Sequence, residues 1–456
     1  MDRMSRQDTL RVSMRKSLLL MLLVAQSAFG ASVTLLHFSD YHSHALPFYS
    51  EDQADRGGIA RAIGYLEREH RRGALVLSGG DMVNKGSPAW SDKYGCAEWP
   101  WFNGIVDAMA FGNHDADYGF SWFENCRAKL HYPVLSANTN GFQHYEVFRV
   151  RGLRIGVFAI AGPDFKALVK TPELQFGDPI TAARDTVKIL REQEHVDAVV
   201  VMGHEHTKDD YALARAVPGI DVILGTHSHE KHELTKIDGT STWFIAPYQY
   251  LTYISRVTLT FSGRKLTAVH GALVPVDASL RPSRTIEERV AAMQRDLERD
   301  PQYAALFEPL GMLDHSMSID EVAGTTLMAM RDAAHADAAF STISSFRQPL
   351  AKGTLTLEDL RASMPYDNDI VVCELRGDAL KAMYDAIQSR KGTDSFCYIS
   401  GPSTIDPAKT YRVATTDYVA KVAYRKELGC DAQKSGFRVR DELRKSLTSV
   451  RPKNGS

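Results

Sequence analysis

The sequence predicts an α/β protein with two domains and a linker helix between them. A chain of 456 residues with 44% apolar composition can bury a large core and is longer than one domain usually is. Strand-like runs alternate with amphipathic helical segments in both halves, and one charged helical segment separates the halves. We predict domains over residues 31–278 and 310–440, a linker helix over 279–309 and a polar tail over 441–456.

The elements of the first domain alternate between strand and helix along the chain. Two segments have the apolar periodicity of helices, GGIARAIGYLEREHRR (57–72) and ITAARDTVKILREQ (180–193). The segment WFIAPYQYLTYISRVTLTFSG (243–263) predicts antiparallel strands that close the domain. The strands that alternate with the helices are VTLLHF, ALVLSG, DAMAFG, RIGVFAI, DAVVVMG and DVILG.

The second domain follows a charged segment, RTIEERVAAMQRDLERD. We predict that this segment forms the linker helix, because Pro282 and Pro301 bound it. Beyond it, EVAGTTLMAMRDAAH and DALKAMYDAIQSR predict helices, and DIVVCELRG and TYRVATTDYV predict strands. This alternation indicates a smaller α/β domain.

The first 30 residues have the order of a secretory signal peptide. Arg15 and Lys16 precede the apolar run SLLLMLLVA, small residues follow it, and cleavage is expected after Gly30. Met14 is an alternative start of translation. Because the run is short for a bilayer span, we favour a cleaved signal over a retained anchor. The prediction is a periplasmic or secreted protein without stable membrane insertion.

The net charge limits the classes of partner, and the cysteine content bears on disulfide formation. The formal net charge of −2 gives no general attraction to nucleic acid polymers. An exported chain meets an oxidising compartment, so its five cysteines are candidates for disulfides. Cys96 and Cys126 form one possible pair, and two of Cys373, Cys397 and Cys430 could form another. Buried thiols are the alternative.

Five strands of the first domain end in loops rich in Asp, His and Asn. Each loop alone could be a turn or a helix cap. Ligands collect at the carboxyl ends of strands in an open α/β sheet, so we expect the five loops to converge. Because Asp, His and Asn supply the oxygen and nitrogen ligands of metal centres, this pattern indicates a metal site. The loops are HFSDYHSH, LSGGDMVNKGS, FGNHDADYG, VMGHEHTKDD and LGTHSHEKH.

These motifs, in this order and spacing, resemble those of the calcineurin-like metallophosphoesterases, and in particular the secreted 5'-nucleotidase branch. The resemblance implies a four-layer α/β/β/α first domain, a linker helix and a substrate-binding second domain. It also implies two divalent metal ions, with Zn, Mn, Fe and Co all compatible with the donor set. The family has no ligands at the positions of His44, His206 and His232. The implied ligands are Asp40, His42 and His229 for one ion, Asp81 as the bridge, and Asn113, His204 and His227 for the other.

The loop FGNHDADYG also supplies two predicted catalytic residues. Two ions about 3.5–4 Å apart neutralise a phosphoester and lower the pKa of the water between them, and the hydroxide attacks phosphorus. The leaving oxygen then needs stabilisation or a proton, and the resemblance implies His114 for this role. Asp117 would orient His114, with a helix N-cap as the alternative. Asp115 is the least favoured catalytic member of the loop.

The second domain resembles the family through the stretch STISSFRQPLAKGTLTLEDLRASMPYDND. Arg347 and Asn368 match positions in this stretch, and we predict that both contact the substrate. A guanidinium binds oxyanions through two hydrogen bonds, which suits Arg347 to a phosphate. The alternative is a surface ion pair of Arg347 with Glu358 or Asp359.

Two aromatic residues are candidates for nucleobase stacking. Phe396, in SFCYISG, falls where the family presents the first of two stacking rings, and a core position is the alternative. Tyr424 is a possible substitute for the second ring, since the segment TTDYVAKVAYRK lacks the glycine-rich turn of the family. Tyr418, in the same segment, is predicted as a strand residue.

The predicted function is that of an exported, dinuclear metal-dependent phosphoesterase acting on a small phosphoester. Nucleoside 5'-monophosphates are the favoured substrates. Departures from the family pattern in the second domain leave phosphodiesters such as 2',3'-cyclic nucleotides and UDP-sugars, or a thiosulfohydrolase-like sulfur ester, as alternatives. A secreted binding protein without turnover is a further alternative, and the complete ligand set argues against it.

Overall fold

The computed structural model describes residues 31–391 and 396–448. The predicted signal peptide and the end of the predicted tail lie outside these residues. Within the described ranges, no helix combines the length and apolar character needed to cross a membrane.

The first domain contains the predicted strands, arranged in two large sheets. Its strands are β1 Ser32–Phe38, β2 Phe48–Ser50, β3 Gln53–Arg56, β4 Leu75–Ser78, β5 Ala108–Ala110, β6 Val134–Leu135, β7 Tyr145–Val150, β8 Leu153–Ala161, β9 Ala198–His204, β10 Val222–Gly225, β11 Lys231–Lys236, β12 Trp243–Pro247, β13 Tyr253–Ser262 and β14 Lys265–Pro275. One six-stranded sheet has the order β14-β13-β1-β4-β5-β6, and the other has the order β11-β12-β10-β9-β8-β7. The segment 243–263, predicted as antiparallel strands, forms β12 and β13, which belong to different sheets. β13 pairs antiparallel with β1 and β14, whereas β12 pairs antiparallel with β11 and parallel with β10.

The two sheets pack face to face and helices cover their outer faces. Leu35 and Val200 belong to the apolar layer between the sheets, whereas Leu36 faces the helices outside the first sheet. Strands buried on both faces explain the continuous apolar runs in the sequence. The four-layer α/β/β/α prediction is therefore confirmed. The helices of this domain are Ile59–His70, Ala89–Tyr94, Phe120–Arg127, Phe165–Leu168, Pro179–Lys188 and Thr207–Ala216.

The predicted linker segment is a helix, Arg284–Arg299, that packs against the first domain. Its Ile286, Val290 and Leu297 side chains are buried in the core on the outer face of the first sheet. Lys93 of the first domain binds the carboxylates of Asp296 and Asp300, each at 2.8 Å. The charged face of the helix therefore also contributes contacts to the first domain.

The second domain is a smaller α/β unit around a five-stranded sheet. Its strands are β15 Pro309–Leu313, β16 Ala338–Thr342, β17 Gly353–Thr356, β18 Asp369–Arg376, β19 Cys397–Ser400, β20 Thr410–Thr416 and β21 Gln433–Arg438. The main sheet has the order β19-β16-β20-β18-β21. Its helices are Ile319–Ala334, Leu357–Ser363, Gly377–Ser389, Arg425–Leu428 and Val439–Thr448. A capping box between Ser318 and Glu321 fixes the start of the first of these helices.

Short helical turns connect several elements of both domains. The 3₁₀ turns are Trp99–Phe102, Asn113–Ala116, Ala304–Leu306 and Ile343–Ser345, and the π-helical turns are Ile189–Gln193 and Val419–Ala423. β20 ends at Thr416, so Tyr418 follows the strand instead of belonging to it.

The prediction of a polar tail is wrong for residues 441–448. These residues belong to the helix Val439–Thr448, which packs on the helix Ile319–Ala334. Val439 and Leu443 are buried in the core of the second domain. Apolar residues four positions apart lie on one helix face, and the charged residues between them conceal this spacing.

Two disulfides link the cysteines in the arrangement that the sequence allowed. Cys96 and Cys126 are bonded, with 6.0 Å between their Cα atoms. Cys373 and Cys430 are bonded, with 6.2 Å between their Cα atoms. Cys397 is buried and lies outside both disulfides.

Candidate active site

The five loops predicted to converge meet at one edge of the two large sheets. Their imidazoles and carboxylates form two groups, within each of which the potential ligand atoms lie within 4.8 Å of one another. In the first group, His229 Nε2 lies 3.3 Å from Asp40 Oδ1 and 3.0 Å from His42 Nε2. The groups are Asp40 with His42 and His229, and Asp81 with His204 and His227.

Asp81 lies between the two groups. Its Oδ2 atom is 3.8 Å from His42 Nε2 in one group and 3.3 Å from His204 Nε2 in the other. Its Oδ1 atom accepts a hydrogen bond of 2.8 Å from the backbone N–H of His114. A Cβ atom on Gly112 would lie 2.2 Å from Asp81 Oδ1, so this close approach requires glycine. The position of Asp81 is compatible with the predicted bridging role.

The backbone is unusual at most of the predicted ligands. A positive φ angle is uncommon for residues other than glycine, and such residues cluster at functional sites. Five of the seven predicted ligands have φ angles between 47° and 58°. This concentration indicates that the loops are shaped to aim side chains at a common point. The five residues are Asp40, His42, Asp81, His227 and His229.

Backbone carbonyl groups orient two of the imidazoles. His42 Nδ1 donates to the carbonyl of Val83 at 3.1 Å, and His204 Nδ1 donates to the carbonyl of Gly79 at 2.6 Å. Because a carbonyl can only accept, Nδ1 carries the proton in both rings. The Nε2 lone pair of each ring is therefore available to a metal ion.

Unsatisfied polar atoms support a cation site at this place. Asn113 Oδ1 and His204 Nε2 are buried, and neither makes a hydrogen bond within the described part of the chain. A buried polar atom without a partner is costly, and a metal ion would satisfy both. The donor set of imidazole, carboxylate and amide groups fits divalent transition metals. The residues present thus fit the predicted pair of ions.

The charged side chains of the site shift one another's pKa values. Burial would raise the pKa of Asp81, but the His204 and His114 imidazoles outweigh burial and lower this pKa well below its usual value. Burial would lower the pKa of His204, yet Asp81 raises it to about 9. Burial would also lower the pKa of His114, but Asp81 and Asp117 raise it to about 10. The carboxylates therefore create a negative potential that favours cations.

His114 and Asp117 form a hydrogen-bonded pair beside the two groups. His114 Nδ1 lies 2.7 Å from Asp117 Oδ2, and the His114 ring centroid lies 5.2 Å from that of His42. Asp117 also accepts a hydrogen bond of 3.1 Å from the backbone N–H of Lys85. The N-cap position of the helix Phe120–Arg127 is Gly119, so Asp117 does not serve as the cap.

Asp115 has a structural function in the same loop. Its buried carboxylate accepts hydrogen bonds from the backbone N–H groups of Asp81, Met82 and Gly112, at 3.1, 2.8 and 2.9 Å. It thereby ties the loop after β4 to the loop after β5. These bonds account for a third polar residue beside Asn113 and His114.

A cavity of about 360 Å³ connects the site to the second domain. Both domains contribute to its lining, so predicted metal ligands such as Asp81 and His227 face the predicted substrate-binding residues Arg347 and Asn368. From the first domain, the lining residues are Asp81, Asn113, His114, Asp117, Asp164, Leu168, His206, His227 and His229. From the second domain, they are Thr342, Ser344, Ser345, Arg347, Tyr366, Asn368, Tyr418 and Ala423.

Arg347 reaches across the cavity to the first domain. Its guanidinium contacts Nδ1 of His229, and its backbone carbonyl accepts a hydrogen bond of 3.1 Å from Gln249 Nε2. The carboxylates of the ion-pair alternative are engaged elsewhere. Glu358 accepts from the backbone N–H of Ala89 at 2.6 Å, and Asp359 accepts from the backbone N–H of Thr356 at 2.8 Å.

The prediction for Tyr424 is wrong in this structure. Its side chain is fully buried in the core of the second domain, where its ring lies 5.8 Å from that of Phe340. A ring enclosed on all sides cannot stack on a nucleobase. Tyr418 is 45% exposed and lines the cavity, as does Tyr366, which is 40% exposed.

Phe396 and Asn368 differ in their relation to the cavity. Phe396 is half-buried and packs on the core, which agrees with the alternative of a core position. It is not among the residues that line the cavity. Asn368 lines the cavity, and its backbone carbonyl accepts a hydrogen bond of 3.0 Å from Val439. The structure therefore brings Asn368, but not Phe396, to the predicted site.

Two residues beside the site were not predicted to participate. Asp164 Oδ2 lies 3.2 Å from His206 Nε2 and 3.0 Å from His227 Nε2. Sequence reasoning missed Asp164 because only five loops were compared. The loop after β8 also carries an acidic residue, in the sequence AIAGPD, and that signal could have identified a sixth loop.

Comparisons with known families match both halves of the chain. The Calcineurin-like phosphoesterase family matches residues 33–231, and the 5'-nucleotidase, C-terminal domain, matches residues 323–405. Protein UshA of Yersinia enterocolitica is 26% identical, and the alignment covers 85% of each chain. A 5'-nucleotidase of Vibrio cholerae is 25% identical over 80% of this chain and 77% of its own.

Solved structures share the fold over nearly the whole chain. A 5'-nucleotidase precursor from Thermus thermophilus superposes with a TM-score of 0.74 at 20% identity, over 92% of this chain and 97% of its own. The sulfate thiohydrolase SoxB from Thermus thermophilus gives the same TM-score and identity, over 92% and 95% of the two chains. The solved structures show the shared fold, and the family matches and the relatives identify the chain as a metal-dependent phosphoester hydrolase that combines a calcineurin-like phosphoesterase domain with a 5'-nucleotidase C-terminal domain.

Proposed function

We propose that the protein is an exported enzyme that uses two divalent metal ions to hydrolyse nucleoside 5'-monophosphates to nucleoside and phosphate. The observation that carries this proposal is the composition of one cavity. Its lining includes Asp81, at least one member of each ligand group, the His114–Asp117 pair and Arg347. These are the parts that phosphomonoester hydrolysis requires.

The residues around Asp81 would hold the two ions. Asp40, His42 and His229 form one set of ligands, and Asn113, His204 and His227 form the other, with Asp81 shared between them. When bound, the ions supply charge neutralisation of the phosphoryl group and activation of a water molecule. Zn, Mn, Fe and Co remain the candidate metals, because the mixed donor set accepts each of them.

His114 would act on the leaving oxygen of the substrate. Its Nδ1 is held by Asp117 at 2.7 Å, so Nε2 is the nitrogen available for the substrate. The hydrogen bond to the Asp117 carboxylate favours the protonated ring, which can donate a hydrogen bond or a proton. Asp117 acts as the positioning residue, since it fixes the ring orientation and stabilises its positive charge.

Arg347 would bind the phosphate of the substrate from the opposite side of the cavity. Its contact with His229 puts the guanidinium beside the first group of ligands. A guanidinium forms charge-assisted hydrogen bonds with phosphate oxygens. Asn368, Tyr366 and Tyr418 line the same side of the cavity and are candidates for contacts with the nucleoside.

Export is part of the proposal for two reasons. The N-terminal 30 residues have the order of a signal peptide, and the two disulfides suit an oxidising compartment. Cell fractionation of an expressing strain, together with N-terminal sequencing of the mature chain, tests this part. We expect the mature protein outside the cytoplasm, beginning at Ala31.

A substrate panel tests the proposed activity. Phosphate release from AMP is compared with hydrolysis of UDP-glucose, a 2',3'-cyclic nucleotide and bis(p-nitrophenyl) phosphate under the same metal loading. We expect AMP to have the largest kcat/KM. Much faster cleavage of the diesters would reject the nucleotidase assignment and favour a phosphodiesterase.

Replacing the shared carboxylate separates enzyme from binding protein. Asp81→Asn keeps the shape of the side chain but removes its charge, so we expect both metal affinity and phosphate release to fall sharply. Asp385→Asn is the matched control, because Asp385 is exposed on a helix of the second domain. Wild-type turnover by Asp81→Asn would exclude a mechanism that depends on this bridge.

A further inference from the structure

A third cluster of ligand-type side chains adjoins the second metal group. Asp164, His206 and His227 have potential ligand atoms within 4.8 Å of one another. One carboxylate oxygen, Asp164 Oδ2, lies 3.0 Å from His227 Nε2 and 3.2 Å from His206 Nε2. Neither Asp164 nor His206 has a part in the proposed hydrolysis.

The hydrogen bond to Asp164 distinguishes His227 from two of the other predicted histidine ligands. His42 and His204 use Nδ1 to bind backbone carbonyls, so each presents Nε2 to the site. His227 uses Nε2 to bind a carboxylate. A neutral imidazole has one protonated nitrogen and one lone pair. When Nε2 donates to Asp164, the lone pair is therefore on Nδ1.

We propose that Asp164 is a positioning residue that accepts the Nε2 proton of His227 and thereby presents Nδ1 of this ring to the second metal ion. This inference rests on the proposed function, because it assumes that His227 is a metal ligand. A carboxylate that binds the outer nitrogen of a ligating histidine fixes the ring and makes the other nitrogen more basic. Asp164 thus contributes to metal affinity without touching the ion.

The backbone around Asp164 is well placed to hold this carboxylate still. The next residue, Phe165, is fully buried, and its ring lies 5.6 Å from His204 and 6.3 Å from His227. The carbonyl of Asp164 accepts hydrogen bonds from Ala167 and Leu168, at 2.8 and 3.1 Å. The acceptor is consequently anchored to the same apolar core as the histidine it binds.

His206 holds the carboxylate from a second direction. Its Nε2 lies 3.2 Å from Asp164 Oδ2, and its Nδ1 lies 3.5 Å from Ser228 Oγ. Ser228 is the residue after His227, so this contact returns to the loop that carries the ligand. Removal of His206 should loosen Asp164 and have a smaller effect than removal of Asp164 itself.

Metal titration of the metal-free chain, followed by a competing chromophoric chelator, measures the stoichiometry and both affinities. We expect two ions per wild-type chain. Asp164→Ala should weaken one of the two sites by about 10- to 100-fold and leave the other close to wild type. Asp164→Asn keeps an acceptor without its charge and should give a smaller loss, as should His206→Ala.

Two matched controls test whether any local change has the same effect. Glu173→Ala removes an exposed carboxylate from the segment that follows Asp164, and His232→Ala removes a histidine that pairs with Glu230. Both variants should bind metal as the wild type does. Melting temperatures of all the metal-free variants identify any loss of affinity that comes from unfolding.

A proton signal reports the hydrogen bond directly. In the Co²⁺-loaded protein, the ring N–H of a ligating histidine gives a shifted, exchangeable NMR resonance. We expect one such resonance to be lost or broadened by exchange in Asp164→Ala and to persist in Glu173→Ala. A purely structural contribution of Asp164 would leave this resonance in place.

Two results would overturn the inference. Unchanged metal affinity of folded Asp164→Ala would remove the positioning role. Three ions per wild-type chain, with the third lost in both Asp164→Ala and His206→Ala, would show that the cluster binds its own cation. Because the readouts are metal binding and NMR, a failure to hydrolyse AMP would reject the proposed function without deciding the role of Asp164.

Discussion

The two walls of the cavity differ in how their side chains are held. On the side of the first domain, Asp81 and Asn113 are 1% and 7% exposed, and Asp81 accepts a hydrogen bond from the backbone N–H of His114. On the side of the second domain, Tyr366 and Tyr418 are 40% and 45% exposed. The wall with the proposed metal ligands thus has buried side chains, whereas the wall proposed for substrate recognition has exposed rings.

Because of this difference, the first wall permits a more specific inference about function than the second wall does. A buried group of charged and polar residues is stable only when its partners are satisfied, so its geometry restricts the chemistry closely. Exposed aromatic rings meet no such requirement, and many ligands can satisfy them. The reaction class therefore follows from the first wall, while the choice of nucleotide depends on the second.

The largest expected effect on the first wall comes from His114→Ala. Loss of the residue at the leaving oxygen should lower kcat for AMP by about 10²- to 10⁴-fold. Metal content should not change, since His114 is not among the predicted ligands. Steady-state kinetics and metal analysis of the same sample measure both quantities.

His131→Ala is the control for this variant, because His131 is exposed and remote from the metal groups in sequence and contacts. A loss of metal in His114→Ala that matches the loss of activity would assign His114 to the metal centre. Retention of full activity would remove it from the mechanism.

The second wall is tested most strongly by Arg347→Ala. A hydrogen bond to a charged group contributes about 1.5–3 kcal/mol, so kcat/KM for AMP should fall by roughly 10- to 100-fold. Arg347→Lys keeps the charge and should recover part of this loss. Kinetics of both variants are compared with Arg376→Ala, which removes an exposed arginine that pairs with Asp378. Equal kinetics of all three would exclude phosphate binding by Arg347.

The first domain was easier to predict from the sequence than the second domain. The six apolar runs and the loops after five of them were sufficient to predict six strands and the convergence of Asp40, Asp81 and His204. The four layers were implied by the family resemblance. Strand ends in an α/β sheet have a fixed spatial relation, so sequence order carries geometric information. The convergence of these five loops could therefore be inferred from the order of the strands in the sequence.

The second domain was harder to predict because aromatic residues are ambiguous. Tyr418 and Tyr424 are six positions apart in one segment, and only the packing of the π-helical turn Val419–Ala423 decides which ring is buried. The burial of Leu443 was likewise hidden by charged neighbours. Asp164 was missed for another reason: the loop after β8, in the sequence AIAGPD, was not compared with the other five loops.

Two tyrosine variants test which ring faces the cavity and which ring belongs to the core. Tyr418→Ala should raise KM for AMP several-fold through lost stacking, worth about 1 kcal/mol, with little change in stability. Tyr424→Ala should instead lower the free energy of unfolding by about 3 kcal/mol, because it leaves a cavity in the core. Kinetics and urea denaturation of both variants distinguish the roles. The reverse pattern would restore Tyr424 as the stacking ring.

The smallest expected effect on turnover concerns a buried carboxyl of the first domain that is not among the predicted site residues. Glu98 accepts a hydrogen bond of 2.7 Å from Tyr41, and burial raises its pKa from 4.5 to about 8. The folded state therefore binds more protons than the unfolded state between these values, and stability falls as pH rises through this window. Glu98→Gln removes the ionisation and keeps an acceptor for Tyr41.

The difference in free energy of unfolding, Glu98→Gln minus wild type, should consequently increase from pH 5 to pH 8, by at most about 1.4 kcal/mol per pH unit. Urea denaturation at several pH values measures it, and turnover of AMP should be nearly unaffected. A difference that is constant with pH would show that Glu98 ionises normally in the folded chain.

Metal titration of activity decides whether hydrolysis depends on two ions per chain. The purified protein is freed of metal with a chelator, and phosphate release from AMP is followed while Mn²⁺, Zn²⁺ or Co²⁺ is added in known amounts. The two groups that share Asp81 predict almost no activity without metal and a maximum at two ions per chain. Full activity of the metal-free protein, or a maximum at one ion per chain, would contradict the dinuclear account.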